Sequence, residues 1–422
     1  MYEKDNLWQN LYLIYFILLG FQASKIGGLK PSQIYLVLFF LFLVIQNIQQ
    51  KTFNFTIIFV LVISGIVMSL ISLNSTAYKI KEINFIVKYL FMFPATFYIG
   101  YKLISMVDIK NIPKLFEKTL LVYISIASII YFIPIPQNIL EKFVHYRSGA
   151  YGYRYLDFQG TFVESGILAF SLGVFLIASI SFRVDNAVKI ESKKWYIVFL
   201  IVSLIAIILS QNKTIILSYL MILLFFIFYK GYITLSRTNY HTNFLENDED
   251  KTIRMLSKLN SFKLLLTILF ITTTFFIANE LLPTPIITKD LIVLKLTHER
   301  GKAFEYAMNF LEQTNYIGGY GFGFIEGYFT TYKMDIIGLG EGVGMIFNSY
   351  FDIWLSVTLF GLIYYITIQY YSFSSKSFFT IVVPLYMLIF INFNPVGATE
   401  EFFLFSGISS GLAARLSKED SL

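Results

Sequence analysis

The sequence predicts an all-α protein that crosses a lipid membrane many times. Of its 422 residues, 56% are hydrophobic and only 14% are charged, whereas soluble domains carry about 25% charged residues. The hydrophobic residues form continuous runs of about 20, the length that an α-helix needs to cross the hydrocarbon core. Strands of a membrane β-barrel alternate apolar and polar residues instead. The composition therefore excludes an ordinary soluble enzyme and favours a polytopic helical membrane protein.

The hydrophobic runs predict about twelve membrane spans. They lie at 7–24, 33–49, 53–73, 83–105, 115–133, 161–182, 195–210, 214–233, 262–281, 345–371, 378–392 and 402–414. We place the N-terminus in the cytoplasm, because the linkers on that side are rich in Lys and Arg. An even number of spans places the C-terminus there as well. The first run is interpreted as a span, since no small-residue cleavage site follows it.

The predicted organisation has three parts. Residues 1–281 hold nine spans and an outward loop near 134–160, residues 282–344 form a large extracytoplasmic loop, and residues 345–422 hold the last spans and a cytoplasmic tail. Both outward loops are longer than a helix hairpin needs, and long loops in compact proteins usually have a role of their own. We therefore look for functional residues in these loops first.

The composition also excludes several kinds of chemistry. The chain has no cysteine and only three histidines, which are His145, His241 and His298. A zinc centre needs three or four nitrogen, sulfur or carboxylate ligands and mostly uses Cys and His. We therefore expect no metal and no other cofactor.

The first outward loop carries two arginines, Arg147 and Arg154, with tyrosines between them that include Tyr151 and Tyr153. The guanidinium group binds phosphate oxygens through two parallel hydrogen bonds, and tyrosine rings can stack on sugars. This pattern favours a site for an anionic, sugar-bearing substrate. The alternative is that the arginines bind lipid headgroups at the membrane surface.

Two further candidates lie at the ends of predicted spans. Thr161 and Glu164 have the spacing of a helix capping box, although Glu164 is also a candidate general acid or base beside the arginines. The short polar turn between the seventh and eighth spans places Lys213 on the outer side. Lys213 either extends to the lipid headgroups or contacts a diphosphate.

The second outward loop predicts an amphipathic helix over residues 298–312. Its apolar positions at helical spacing are Phe304, Ala307, Met308 and Leu311. Arg300 lies near the start of this helix, on its apolar and membrane-facing side, where arginine and the helix dipole both favour an anion such as a pyrophosphate. The alternative is an interfacial helix with an arginine anchor.

A glycine-rich stretch, 318–323, follows this helix and contains Tyr320. The glycines allow the backbone to approach a bulky substrate or a neighbouring span. Three acids come next, at Glu326, Asp335 and Glu341, and each is a candidate base toward an acceptor hydroxyl or a solvated loop residue. Asn348 then opens the tenth span.

Four stretches of this pattern resemble the O-antigen ligase/polymerase superfamily of multi-span membrane glycosyltransferases. The stretch from Arg154 to Glu164 is similar to its Arg-x-x-Gly-x-Phe segment, with a longer gap. Residues 210–214 resemble its short Ser-Arg turn, with Lys213 in the basic place. The stretch from Arg300 through Tyr320 resembles its arginine helix followed by Gly-x-Gly. The last stretch, 348–362, resembles the Asn-containing segment that opens a late span.

The resemblance implies a GT-C-like fold and a metal-independent transfer of glycans carried on undecaprenyl diphosphate, at the outer face of a bacterial inner membrane. It implies catalytic roles for Arg154 and Arg300 and substrate binding by Arg147, Lys213 and Asn348. Ligases of the superfamily have histidine where this chain has phenylalanine before Asn348, so the resemblance favours a polymerase of repeat units. Expected partners are the lipid-linked oligosaccharide, a flippase and a chain-length regulator, and no nucleic acid.

The general base stays unassigned, with His298, Glu164 and Glu341 as candidates. A ligase that moves finished glycan to another acceptor is one alternative. A flippase for the lipid-linked oligosaccharide is the other. Charged residues of a flippase are expected in mid-span, yet most charges here lie at the ends of spans, and no pair of spans is interrupted by Gly or Pro as in many transporters.

Overall fold

A computed structural model describes residues 2–24, 29–49, 56–75, 82–144, 147–148, 154–155, 158–162, 165–186, 192–210, 215, 218–219, 300–332, 348–374, 377–393 and 399–419. The described residues are helical almost throughout, which confirms the all-α class. Apart from connecting segments, the described residues add one small two-stranded β-hairpin, in the loop that the sequence predicts to face outward.

Nine α-helices lie among the described residues before the predicted turn that follows the seventh span. They are α1 (Tyr2–Leu19), α2 (Pro31–Gln49), α3 (Thr56–Asn74), α4 (Glu82–Val87), α5 (Phe93–Met106), α6 (Ile112–Phe132), α7 (Gln137–Leu140), α8 (Ser165–Asp185) and α9 (Lys193–Leu209). A π-helical turn, Lys88–Met92, joins α4 to α5. The hairpin strands, β1 (Arg147–Ser148) and β2 (Arg154–Tyr155), lie between α7 and α8.

Five further helices lie among the described residues after the predicted ninth span. They are α10 (Arg300–Gln313), α11 (Phe324–Thr331), α12 (Ser349–Ser372), α13 (Phe378–Phe393) and α14 (Glu400–Glu419). The helices α1 to α3, α5, α6, α8, α9 and α12 to α14 coincide with ten of the predicted spans. The predicted spans 214–233 and 262–281 lie outside the described residues.

Five of the described helical segments are long and apolar enough to cross a membrane. They are Pro31–Gln49, Glu82–Met106, Ile112–Phe132, Gly166–Asp185 and Ser349–Ser372. Two shorter apolar helices, Ile58–Asn74 and Phe378–Asn392, accompany them. Large apolar side chains such as Leu38 and Phe59 are more than 60% exposed on the outside of the bundle, which is where a lipid-facing surface requires them. These features are those of a multi-pass membrane protein.

The helices of the bundle alternate in direction. Tyr12 of α1 donates to the carbonyl of Ile99 and Tyr15 bonds to Thr96, so α1 runs antiparallel to α5. The ring of Phe93 in α5 stacks on that of Phe403 in α14, and a side chain at Gly407 would collide with the carbonyl of Phe97. Residue numbers increase together along both helices in these contacts, so α5 and α14 are parallel. The start of α1 and the end of α14 therefore lie at the same end of the bundle.

Glycines allow α5 and α14 to approach closely. A Cβ at Gly100 would collide with the carbonyl of Leu404, and a Cβ at Gly411 with that of Tyr101. Helices in lipid gain little from apolar burial and associate instead through close packing of small residues. This contact fixes α14, and with it the residues at the start of α14, against the centre of the bundle.

One end of the bundle, which we call the ion-pair end, is fastened by carboxylates. Arg183 of α8 donates to both oxygens of Glu117 in α6, at 2.6 and 2.9 Å, and the Ser179 hydroxyl donates to the same carboxylate at 2.8 Å. Asp185 accepts from the backbone N–H groups of Phe378 and Phe379 at 2.7 Å each, which caps the start of α13. We call the opposite end, where α1 ends and α14 begins, the loop end.

Candidate functional site

The loop end is built around residues 20–24, which we call the α1 extension. Its Ala23 N–H donates to the carbonyl of Thr161 at 2.9 Å, and the Thr161 hydroxyl donates to the carbonyl of Gly20 at 2.7 Å. Its Gln22 side chain donates to Glu401 at 2.8 Å. The α1 extension therefore joins the segment before α8 to the start of α14.

Thr161 thus has a different role from the one that its spacing predicts. The capping box would place the start of the sixth span at Thr161, but α8 begins at Ser165. The Thr161 hydroxyl bonds to a chain segment more than a hundred residues away, because the α1 extension lies directly against it. The second member of the predicted box, Glu164, lies outside the described residues.

Glycine and aromatic residues bring these segments onto α6. Gly160 has a φ of 58°, and a Cβ there would lie 3.2 Å from Ala127. The Phe162 ring meets the Tyr123 ring edge-on at 5.1 Å between centroids. A Cβ at Gly20 would collide with the same Tyr123 ring. The left-handed backbone at residue 160 is one that only glycine adopts readily, so the sequence specifies this close approach.

The arginine hairpin, residues 147–155, precedes the segment 158–162. Its two strands pair antiparallel, with Arg147 opposite Tyr155 and Ser148 opposite Arg154. The two arginines, seven residues apart in sequence, are therefore offset by one position across the hairpin. Tyr151 and Tyr153 lie outside the described residues, and their predicted role in substrate binding stays a prediction.

Two carboxylates lie at the start of α14. Glu401 is completely buried, and its Oε1 accepts from the Gln22 amide at 2.8 Å and the Ser171 hydroxyl at 3.3 Å. Its Oε2 and the Oε2 of Glu400 are buried without a hydrogen-bond partner among the described residues. The positive end of the helix dipole favours negative charge here. The positive charge of Lys30 also attracts the Glu401 carboxylate electrostatically. Both direct partners of Glu401 are neutral.

Sequence reasoning missed Glu400 and Glu401. The signal was present, since two consecutive acids directly precede the last apolar run. Acids at the start of a helix are common and favourable, so the pattern alone does not separate a functional carboxylate from a helix-end charge. Glu401 differs from an ordinary helix-end charge because it is completely buried and one of its oxygens has no hydrogen-bond partner among the described residues. A buried oxygen without a partner costs free energy.

The glycine-rich loop, residues 318–323, lies at the same end of the bundle. Its glycines Gly318, Gly319, Gly321 and Gly323 have φ values of 75°, 94°, 95° and 75°. A Cβ at Gly318 would collide with the carbonyl of Trp354 in α12. The predicted approach of this backbone to a neighbouring span is confirmed.

Helix α12 is broken where the glycine-rich loop contacts it. Val357 and Thr358 have non-helical backbone angles, and Thr358 has a φ of 65° and a ψ of −169°. The carbonyl of Leu355 accepts from the N–H groups of Gly319 and Tyr320 at 2.8 and 2.9 Å, and that of Ser356 from Gly321 at 2.8 Å. In a continuous helix these carbonyls would accept from residues four positions later. The loop therefore satisfies groups that the break leaves open.

The glycine-rich loop is also fixed to α3 and to the π-helical turn. The Ser75 hydroxyl donates to the carbonyl of Tyr320, and the N–H of Phe322 donates to Ser72 at 2.9 Å. The Phe322 ring stacks on Tyr89 with 5.0 Å between centroids. The loop thus joins α3, the π-helical turn and α12 at the loop end.

Tyr320 and Asn348, both predicted to bind substrate, have structural partners. The Tyr320 hydroxyl donates to the carbonyl of Phe310 at 2.9 Å, and burial raises the pKa of Tyr320, so the hydroxyl stays a donor. Asn348 caps α12 by accepting from Tyr350 N–H at 2.9 Å and donates to Asn392 at 3.1 Å. Asn348 thus lies at the start of a long apolar helix, as the sequence predicts. Substrate binding by either residue stays a prediction.

The predicted amphipathic helix of the second loop is observed as α10, which begins at Arg300. Ala307 and Leu311 are completely buried, and Phe310 is 5% exposed. Their neighbours are α11 and Leu355 of α12, so these residues pack against the protein. The prediction that this apolar side faces the membrane is wrong for these positions, because the glycine-rich loop folds α11 and α12 against α10.

The remaining predicted site residues fall in parts of the chain that the structure does not describe. His298, Glu341, Glu164 and Lys213 lie outside the described residues, and their roles stay predictions. No family model matches the chain, and no curated protein is significantly similar to it.

Proposed function

We propose that the chain is a membrane glycosyltransferase that polymerises oligosaccharide repeat units carried on undecaprenyl diphosphate. In this proposal the loop end faces outward from the bacterial inner membrane, and both termini lie in the cytoplasm. The observation that supports it is the arrangement at the loop end, where the segment 158–162 that follows the arginine hairpin bonds to the α1 extension, and the α1 extension bonds to the buried Glu401. Phosphate-binding and proton-accepting residue types therefore lie at one end of a membrane-compatible bundle.

The chemistry needs no nucleotide sugar. The acceptor hydroxyl attacks the anomeric carbon of the donor, the bond to the diphosphate breaks, and its electron pair leaves with the diphosphate. Arg147, Arg154 and Arg300 would stabilise the charge that develops on this leaving group. A carboxylate or histidine would accept the hydroxyl proton, with Glu164, Glu341 and His298 as the candidates from the sequence. The expected partners are the lipid-linked oligosaccharide, membrane lipids, a flippase and a chain-length regulator.

Arginine substitutions test the proposal. Arg154→Ala and Arg300→Ala should each lower polymerisation about 100-fold, the loss expected when one group that stabilises transition-state charge is removed. Glycan chain length and protein level are measured together in a strain that carries each variant. Arg415→Ala, an exposed arginine at the ion-pair end, is the matched control and should leave long chains unchanged. Long chains in both loop variants at normal protein level would contradict the arginine roles.

The break in α12 supports a second candidate, a flippase. Discontinuous helices line the substrate sites of many transporters, and this break lies inside a candidate membrane span. Deletion of the gene separates the candidates. Loss of a polymerase leaves single repeats on the outer face, loss of a flippase leaves them on the inner face, and loss of a ligase leaves long chains on the lipid carrier.

A further inference from the structure

Helix α12 folds back on itself at its break. A Cβ at Gly361 would collide with the side chain of Ile353, and the rings of Tyr350 and Tyr365 lie 6.1 Å apart between centroids. In a straight helix these two tyrosines would be separated by about 22 Å, at a rise of about 1.5 Å per residue. Residues 349–356, which we call the re-entrant helix, therefore run antiparallel to the part of α12 that follows the break.

The re-entrant helix lies at the loop end of the bundle. The Tyr365 ring contacts the rings of Phe402 and Phe403 at 5.5 and 6.1 Å between centroids, and both belong to the first turn of α14. Tyr350 contacts the same Tyr365 ring, so the re-entrant helix starts level with the start of α14. Backbone that interrupts a helix at membrane depth is tolerated where it is buried in protein or lines a water-filled cavity. The re-entrant helix is therefore expected to face protein and water rather than lipid.

Asp352 is the one acidic residue of the re-entrant helix. It is partly exposed, and its carboxylate has no hydrogen bond or ion pair with a described residue. The charge of this carboxylate acts on the hydroxyls of Tyr89 and Tyr365, which bond to each other at 2.9 Å. The helix dipole favours an acid in the first turn. An unpaired carboxylate within a membrane bundle is nevertheless costly, and such residues are usually retained for function.

The tyrosine neighbours of Asp352 add hydroxyl groups that are suited to a sugar. The Tyr364 hydroxyl is buried without a hydrogen-bond partner in the part of the chain that the structure describes, and it interacts electrostatically with Tyr89. Tyr89 belongs to the π-helical turn, and such turns are frequent at functional sites. Because a carboxylate accepts strong hydrogen bonds from hydroxyl groups, Asp352 and these tyrosines together fit a hydroxyl-bearing ligand.

The re-entrant helix also contacts α10, the helix that Arg300 begins. Leu355, one turn after Asp352, is completely buried in one apolar cluster with Ala307 and Leu311 of α10. An acid on the re-entrant helix and an arginine at the start of α10 thus belong to two elements in direct contact.

We propose that Asp352 lines a hydrated site at the loop end and is the proton acceptor for a sugar hydroxyl group. The reaction step rests on the proposed function. In that step the oxygen of the acceptor hydroxyl attacks the anomeric carbon of the donor, while its proton passes to the Asp352 carboxylate. The bond from that carbon to the diphosphate breaks, and its electron pair leaves with the diphosphate. The Asp352 carboxylic acid then releases the proton to water.

The hydrated site can be tested without an activity assay. The chain has no cysteine, so single cysteines in the full-length protein report which positions meet water. In membranes opened to reagents on both faces, Asp352→Cys should react with a charged, membrane-impermeant thiosulfonate. Ile363→Cys is the matched control at about the same level of the folded-back helix. Ile363 is 56% exposed on the outside of the bundle, so its cysteine should react only with a lipid-soluble maleimide. Ile353→Cys, at a residue that is 4% exposed, should react with neither reagent.

An Asp352→Cys variant that accumulates yet is as unreactive as Ile353→Cys would overturn the inference. If Asp352→Cys does not accumulate, the unmodified protein is treated with dicyclohexylcarbodiimide, an apolar reagent that modifies protonated carboxyl groups. Mass spectrometry should then find the adduct on Asp352 and not on the completely buried Glu401. Absence of the adduct from Asp352 would equally overturn the inference.

Purified variants supplied with lipid-linked repeat units test the proton transfer. Asp352→Asn should lower kcat about 100- to 10,000-fold, the loss expected when a general base is removed. Asp352→Glu should retain more activity, because it still carries a carboxylate. Glu305→Gln, at an exposed acid of α10, should leave activity unchanged. Full activity in Asp352→Asn would show that the proton-acceptor role is wrong, even where the cysteine is reactive. If the unmodified protein makes no polymer, the proposed function fails, while the cysteine reactivities still decide whether Asp352 lines a hydrated site.

Discussion

The carboxylates at the two ends of the bundle have different surroundings. At the ion-pair end, Glu117 receives two bonds from Arg183 and one from Ser179, and the Arg183 guanidinium lies 5.5 Å from the centre of the Tyr196 ring. At the loop end, Glu401 is more deeply buried, has only neutral direct partners and keeps one oxygen without a hydrogen bond among the described residues. The carboxylate with fuller burial thus has the poorer set of partners.

The backbone shows the same difference. Asp185 caps α13 at the ion-pair end by accepting hydrogen bonds from the Ser377 hydroxyl and from two backbone N–H groups. At the loop end, α12 is broken and Thr358 has a backbone conformation that is normally restricted to glycine. Backbone strain is commonly found where structure serves function rather than stability. The ion-pair end therefore stabilises the bundle, while a functional site is expected at the loop end.

The largest effect is expected from removing the carboxylate of the ion pair. Glu117→Ala leaves Arg183, whose side chain is 9% exposed, without its counter-charge; because the Glu117 side chain is 17% exposed, the loss should approach but stay below the about 3–5 kcal/mol of a fully buried pair. Thermal unfolding of the purified protein in detergent should show a correspondingly lower midpoint. The double variant Glu117→Leu with Arg183→Met should recover much of the loss, since an apolar pair can replace a buried ion pair. A double variant less stable than Glu117→Ala would contradict this account.

An intermediate effect is expected from replacing each carboxylate by its amide. Glu117→Gln should cost about 2 kcal/mol, because hydrogen bonds to the arginine lose their charged acceptor. Glu401→Gln should change the free energy of unfolding by less than about 1 kcal/mol, since its partners are neutral and the acceptor oxygen is retained. Denaturant unfolding of both variants in the same detergent provides the measurement. Equal losses at both ends would remove the distinction between them.

The fold was largely predictable because its signals are local. Continuous apolar runs locate ten of the described helices, and five of the described helical segments are long and apolar enough to cross a membrane. The start of α12 at Asn348 follows from the preference of asparagine for the helix N-cap, and the close approach of the loop at Gly318 follows from glycine density. Each of these inferences uses residues that are neighbours in sequence.

The missed features depend on contacts between distant residues. Gln22 and Glu401 are 379 positions apart, and no local pattern pairs an amide after the first helix with an acid before the last. The break in α12 occurs at Val357 and Thr358, with neither glycine nor proline at the break. Its cause is the glycine-rich loop, which supplies N–H donors to the open carbonyls. Tertiary contacts decide both features.

A small effect of the opposite sign is expected at the break itself. Thr358→Gly should stabilise the protein by about 1 kcal/mol, because a backbone region that glycine adopts freely costs other residues about 1–3 kcal/mol, and glycine loses more entropy on folding. Thermal unfolding measures the gain, and Thr119→Gly in the regular helix α6 is the matched control, where glycine should destabilise. If the break serves the proposed site, chain length should stay the same or fall despite the higher stability. Destabilisation by Thr358→Gly would mean that the backbone at the break carries no strain, and the contrast between the two ends would then rest on the carboxylates alone.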